Sequence, residues 1–301
     1  MHLFALSTRI SGKLNKLNGM KTILDVLNLC KGFLHQKGIK NSQLQAEYLI
    51  GDALGLSRVQ LYQHFDRPLV EKELEICRHR LGRRVKGEPL QYIHGEVDFY
   101  DCKISVNSHV LIPRQETEIL VDIIVGQLKS EDLKDKFLWD LCCGSGCIGI
   151  AIKKKLPDLN VILSDVCPAA LAVARKNAQL NQVDVEFLQG DLLDPFVGRK
   201  AHFVVCNPPY IAEREYEELD REVRDFEPRK ALISGSSGLE FYTRLSLQLK
   251  DFLYPAGKAW FEIGRGQGPA VCELFFKGGW SICKAEKDWA GHDRFFFLEN
   301  E

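Results

Sequence analysis

Between Lys21 and Lys86 the apolar positions recur at three- and four-residue steps. Ile23, Val26, Leu27 and Cys30 share one face, and so do Leu44, Tyr48, Leu49 and Leu54, so this stretch is predicted to be helical. Gly87-Glu88-Pro89 breaks that period. Two short runs follow, around Gln91–Phe99 and Cys102–Val106, and with Tyr100-Asp101 between them they read as a β-hairpin. After Pro113 the pattern changes again. Strands are expected at Phe137–Leu141, Asn160–Ser164, Val185–Leu188, Phe203–Cys206 and near Lys258–Ile263, with a terminal pair around Trp280–Lys284 and Phe295–Leu298. Helices are expected at Cys147–Leu156, Ala169–Leu180 with Pro168 in its first turn, Leu239–Leu249 and Pro269–Phe276. Such alternation builds a mostly parallel sheet with helices on both faces. The chain therefore divides into an N-terminal extension (1–20), a helical domain (21–86), a β-hairpin linker (87–110) and an α/β domain (111–301).

Composition alters this picture little. At 301 residues, 45% apolar and 27% charged, the chain has the makeup of a soluble globular protein with a core, which excludes extensive disorder. The net charge of −1 gives no global attraction to nucleic acid or membrane. No apolar run reaches the roughly 18–20 residues that a membrane span needs. One local basic stretch, Arg78, Arg80, Arg83, Arg84 and Lys86, reads either as a solvated helix face or as a docking surface for RNA or a ribosomal partner. Of the ten cysteines only Cys142, Cys143 and Cys147 cluster, without Cys-x-x-Cys spacing or a nearby histidine. No metal is expected, and free thiols in a reducing compartment are. Residues 1–19 carry Arg9, Lys13 and Lys16 and no acid, which suits an ordinary extension or a mitochondrial presequence.

The chemistry concentrates after two of the strands. Gly144-Ser145-Gly146 leaves the strand ending at Leu141 and opens a helix, where free N–H groups and close backbone approach suit an anionic ligand. Asp165, nineteen residues past Gly146, ends the next strand and can accept both hydroxyls of a ribose. Asp140 would crowd a pyrophosphate but suits an ammonium group. Together these favour S-adenosylmethionine over a dinucleotide, with Asp191 within reach of the adenine. Asn207-Pro208-Pro209-Tyr210 follows the strand ending at Cys206. Two prolines fix φ twice and aim the Pro208 carbonyl. That oxygen and the Asn207 side chain can accept both hydrogens of a planar NH2 group, while the Tyr210 ring offers a stacking face. A planar amide nitrogen is a poor nucleophile, and two such acceptors can turn its lone pair toward an incoming methyl group.

On these residues the chain resembles the HemK/PrmC protein-(glutamine-N5) methyltransferases. The likeness runs from about Lys21 onward. It includes Arg83-Arg84 with Gly87 to Ile93, Leu111-Ile112-Pro113-Arg114 leading to Glu116, and the Gly144–Gly146 turn. Asp165, Asn207–Tyr210, Phe226-Glu227-Pro228, Glu262, Gly264, Gln267-Gly268, Asp288, Gly291 and Arg294 match as well. The resemblance implies a class I S-adenosylmethionine-dependent methyltransferase fold, Rossmann-like and doubly wound, behind a small helical substrate-recognition domain. It implies that the protein methylates the glutamine of the Gly-Gly-Gln motif in class I peptide chain release factors. By the same likeness Cys142, Cys143, Gly144, Ser145, Gly146, Asp165, Leu192 and Asn207 line the cofactor, beside Asp140 and Asp191 from the strand-end reading above. Asn207, Pro208, Pro209 and Tyr210 grip the glutamine, with Arg114 and Glu116 beside it, and Asn207, Pro208 and Tyr210 are the catalytic set. Three departures stand out: Cys142 replaces a turn glycine, Leu192 an occasional aromatic residue, and Gln115 a common proline. Because Asn-Pro-Pro-Tyr also occurs in DNA and RNA amino-methyltransferases, that activity is the alternative, and a nicotinamide-dependent oxidoreductase rests on the glycine turn alone. A monomer without membrane or stable nucleic-acid contact is expected. Gly266-Gln267-Gly268 is more like bacterial than organellar members, which favours the cytoplasm over the mitochondrial matrix.

Overall fold

The computed structural model describes residues 21–300, so the extension expected at 1–20 lies outside the described residues. The chain forms two compact units that divide between His94 and Gly95. The first contains α1 (Ile23–Gln36), α2 (Ser42–Leu54), α3 (Arg58–Gln63), α4 (Glu71–Val85) and α5 (Leu90–His94). Thr22 with Asp25, and Ser57 with Gln60, form capping boxes that satisfy the free N–H groups starting α1 and α3. Ile23, Val26, Leu27, Cys30 and Leu34 close on Ala46, Leu49 and Ile50, and on Leu61, Leu74, Cys77 and Leu81. Tyr48, expected on the inner face of α2, is exposed instead, because the buried stripe runs through Ala46, Leu49 and Ile50. The basic stretch on α4 is internally engaged. Arg78 pairs with Glu71, Arg80 with Asp52 and Arg83 with Glu88, while the buried Arg84 donates to Gln45 and to the Glu88 carbonyl.

The second unit opens with the hairpin β1 (Glu96–Phe99) and β2 (Cys102–Ser105). Its first strand is shorter than the sequence pattern suggested. Gln91–His94 is helix, since Pro89 precedes a first turn in which Tyr92 and Ile93 are both buried. Tyr100 and Asp101 take φ of 42° and 61°, the left-handed pair that a two-residue hairpin turn requires. The remaining elements are α6 (Gln115–Leu128), β3 (Phe137–Leu141), α7 (Cys147–Lys155), β4 (Asn160–Asp165), α8 (Pro168–Leu180), β5 (Glu186–Gln189) and β6 (Ala201–Cys206). After them come β7 (Ile211–Ala212), α9 (Arg221–Phe226), β8 (Ile233–Gly235), α10 (Glu240–Gln248), β9 (Leu253–Glu262), α11 (Gly268–Lys277), β10 (Ile282–Lys287) and β11 (Asp293–Glu299).

The main sheet has seven strands in the order β10-β11-β9-β6-β3-β4-β5. From β9 to β5 every neighbour is parallel, and β11 runs antiparallel to β9 and β10. From β3 the chain moves outward through β4 and β5, then returns to β6 on the other side of β3. Strand order therefore reverses between β3 and β6, and the crevice at their carboxyl ends is where a doubly wound sheet holds a ligand. Beneath it, Trp139 stacks on Phe196 at 4.0 Å, and Phe261, Phe275 and Phe296 pack together.

Candidate active site

The loop after β3 is wound through left-handed positions at Cys142 (φ 55°), Gly144 (φ 53°) and Gly146 (φ 77°). At Gly144 a side chain would project into open space, whereas at Gly146 it would press on Ile150, Ala174 and Leu163 within about 3.1 Å. One glycine keeps the cavity clear and the other lets α7 approach the sheet. Cys142 holds its left-handed turn without glycine's freedom, packed against the core that includes Cys206 at the end of β6. Burial pushes the thiols of Cys143 and Cys206 well up and that of Cys147 to about 12, so these are inert packing groups.

A cavity of about 290 Å³ opens at the carboxyl ends of β3, β4 and β6. Cys142, Cys143, Gly144 and Ser145 form one wall, and Asp165, Asp191 and Leu192 another. Asn207 and Pro209 line it from the end of β6, and Arg114 reaches it from the segment before α6. The Asp165 carboxylate is aimed by two backbone donors, Gly144 N at 2.9 Å and Cys167 N at 2.8 Å, one to each oxygen. Burial raises its pKa, those N–H bonds oppose the rise, and each oxygen retains a lone pair for a ligand hydroxyl. Asp191 is held by Arg244 Nη2 at 2.8 Å.

Asp140 does not line this cavity, contrary to the sequence-based expectation. It is fully buried, and its Oδ2 accepts the N–H of Gly149 at 2.9 Å. Gly146, which caps α7, has no side chain to offer, so the carboxylate serves that helix end from the neighbouring strand. Its Oδ1 is enclosed without a hydrogen-bond partner. Burial drives its pKa up to about 7.

Of the four residues after β6, Asn207 and Pro209 line the cavity, while Pro208 and Tyr210 do not. Among the described residues, no donor reaches the Asn207 carboxamide oxygen or the Pro208 carbonyl. Tyr210 is half-buried behind this segment, packed against the core with its hydroxyl 3.4 Å from Arg294 Nη1. Burial first, and the nearby Glu262 second, hold its hydroxyl protonated far above the ordinary phenol range.

Pairings remote in sequence complete the site. Glu227 binds the Ile112 N–H at 3.0 Å and the Arg114 guanidinium, clipping the Ile-Pro-Arg segment to the cavity. Thr117, a lining residue, donates to the buried Glu262 at 2.6 Å, and burial raises the pKa of that carboxyl. Glu116, expected beside the substrate, is not among the lining residues. Sequence patterning gave no role to Thr117, Glu227 or Glu262, because each acts through a partner more than a hundred positions away.

Comparison with known proteins adds to this geometry. Residues 25–95 match the family model described as the PrmC N-terminal domain, and residues 115–223 match the methyltransferase small domain. The chain is 45% identical over 270 residues to the release factor glutamine methyltransferase of Chlamydia trachomatis serovar L2, covering 89% of this chain and 91% of that one. It is 39% identical over 273 residues to the protein of the same name from Geobacter sulfurreducens, covering 91% and 95%. Among solved structures, the hMettl16 catalytic domain, in complex with MAT2A 3′UTR hairpin 6, superposes with a TM-score of 0.53 at 16% identity. That match covers 73% of this chain and 81% of the other, a likeness of fold.

Proposed function

The chain belongs to the release factor glutamine methyltransferases, and from that premise we propose that it transfers a methyl group from S-adenosylmethionine to the side-chain amide nitrogen of the Gly-Gly-Gln glutamine in class I peptide chain release factors. One observation carries the site assignment: Asn207 lines the cavity at the carboxyl end of β6, and among the described residues no donor reaches its carboxamide oxygen or the adjoining Pro208 carbonyl.

The residues fit the cofactor. Asp165 is oriented toward hydroxyls, Gly144 leaves the space that a nucleoside needs, and Leu192 supplies an apolar wall. When bound, S-adenosylmethionine supplies an electrophilic methyl group. Asn207 and Pro208 then each accept one hydrogen of the glutamine NH2. Held by both hydrogens, the amide nitrogen loses overlap with its carbonyl and presents its lone pair along one direction. The same two oxygens stabilise the positive charge that develops on that nitrogen. No dedicated base is required, because an N-methylated amide cation gives up its proton readily to water. The nucleic-acid alternative lacks support from the basic stretch on α4, whose arginines are engaged within their own unit.

Asn207→Ala removes one acceptor while leaving Asp165 and the glycine loop intact. Methyl transfer to a release factor is expected to fall by at least about 100-fold, with S-adenosylmethionine affinity changed by less than about fivefold. Transfer at the wild-type rate in that variant would exclude the proposed grip.

A further inference from the structure

Gln267, in the turn between β9 and α11, ties its own turn to two separate segments through one carboxamide. Its Nε2 donates to the Tyr210 carbonyl at 2.9 Å and to the Gly238 carbonyl at 3.3 Å. Its Oε1 accepts the Gly264 N–H at 2.8 Å. The space around it is closed tightly. A Cβ at Gly264 would lie 2.8 Å from the Gln267 side chain and 3.2 Å from the Tyr210 ring. At Gly238 (φ 79°) it would lie 2.6 Å from the Tyr210 carbonyl oxygen and 3.0 Å from Gln267 Nε2. Two glycines thus allow one amide to reach the backbone just beyond the acceptor segment.

That segment has little else to hold it. Its upstream end is fixed by sheet register, with Cys206 opposite Leu141 on β3 and Phe261 on β9. Pro208 and Pro209 carry no N–H, so neither can donate an anchoring bond. Their φ angles are set by their rings, and the proline that follows each of Asn207 and Pro208 confines the ψ of those two residues to the extended region. What remains is drift of the Pro208 carbonyl within that well, which ends only where the chain is pinned further along. Pinning comes at Tyr210, through Gln267 on its carbonyl and Arg294 at its hydroxyl, and at Ile211, whose N–H binds the Leu232 carbonyl at 3.0 Å.

We propose that Gln267 is a positioning residue for methyl transfer, locking the Tyr210 carbonyl so that the Asn207 and Pro208 oxygens converge on the substrate amide. The inference rests on the glutamine methyltransferase reading above, and it assigns to Gln267 no contact with substrate or cofactor.

Gln267→Met keeps the volume and removes both hydrogen-bonding groups. For a release factor substrate, kcat is expected to fall about 10- to 100-fold, with KM and the S-adenosylmethionine dissociation constant within about threefold of wild type. Amide exchange at Ile211, which Gln267 does not itself bond, is expected to accelerate. Gly238→Ala offers a second route, because its Cβ crowds the Tyr210 carbonyl and Gln267 Nε2 together while the carboxamide itself is retained, and the same lowered kcat is expected. Wild-type kcat and wild-type exchange at Ile211 in Gln267→Met would overturn the proposal. A lowered Tm with unchanged kcat would reduce Gln267 to a structural role and overturn it equally. If the wild-type protein left the release factor unmethylated, the functional reading would fall, and exchange at Ile211 would still decide whether Gln267 pins the segment.

Discussion

Asp140 shows how a carboxylate at a strand end can serve the scaffold rather than the ligand. Its position before a glycine turn was legible in the sequence, but the direction of its side chain was not. Side chains alternate across a strand, and the face that Asp140 occupies is the one covered by α7. With its pKa raised by burial to about 7, the native state keeps a proton that the unfolded chain releases near pH 4. The resulting stability is complete below about pH 4 and is lost as pH rises through about 7. Asp140→Asn should therefore flatten the decline in unfolding free energy between about pH 4 and pH 7, measured by urea denaturation. An unchanged slope would place its origin elsewhere. Cys142 gives a second test at this scale. Cys142→Gly should lie within about 1 kcal/mol of wild type, since relief of the left-handed strain is offset by greater freedom of the unfolded chain. Cys142→Val, β-branched at φ 55°, should cost about 2 kcal/mol more, and equal denaturation midpoints for the two variants would show that the turn carries no strain.

At the scale of elements, most of the sheet was readable because its strands are short apolar runs bounded by glycine, proline or polar turns. Phe137–Leu141 is an example that the structure reproduces end to end. Gln91–His94 was misread because four residues do not distinguish the two periods, and only packing selected helix. The support of β2 had no sequence signature at all. Its edge is held by side chains of α8 and the residue capping its C-terminus: Asn177 receives the Ser105 N–H at 2.7 Å and donates to Ser105 O at 3.0 Å, while Asn181 does the same for Lys103. Asn177 also donates to Ser145 O at 2.9 Å, which ties the hairpin to the cofactor-facing loop. Asn177→Ala would leave three buried backbone groups unmatched and should destabilise the protein by about 2–4 kcal/mol in denaturant unfolding. S-adenosylmethionine binding should weaken in the same variant. A loss under about 0.5 kcal/mol would mean that water replaces these bonds.

Across the whole molecule, the proposed chemistry sits where strand order reverses between β3 and β6, and the glycine loop, Asp165 and Asn207 arrive there from three strands adjacent in the sheet. Sequence spacing could identify those three because each immediately follows an apolar run. The clips that set the walls, Glu227 on Arg114 and Glu262 on Thr117, bring together distant segments and become visible only once the fold is closed. The central claim is that this crevice turns a glutamine side-chain amide into a methyl acceptor. Incubation of a purified, unmethylated class I release factor with the protein and S-adenosylmethionine, followed by mass spectrometry of the Gly-Gly-Gln peptide, tests it most directly. One added methyl group on the glutamine, absent with Asn207→Ala, is the predicted result. An unmodified glutamine after incubation with folded, cofactor-binding protein would contradict it.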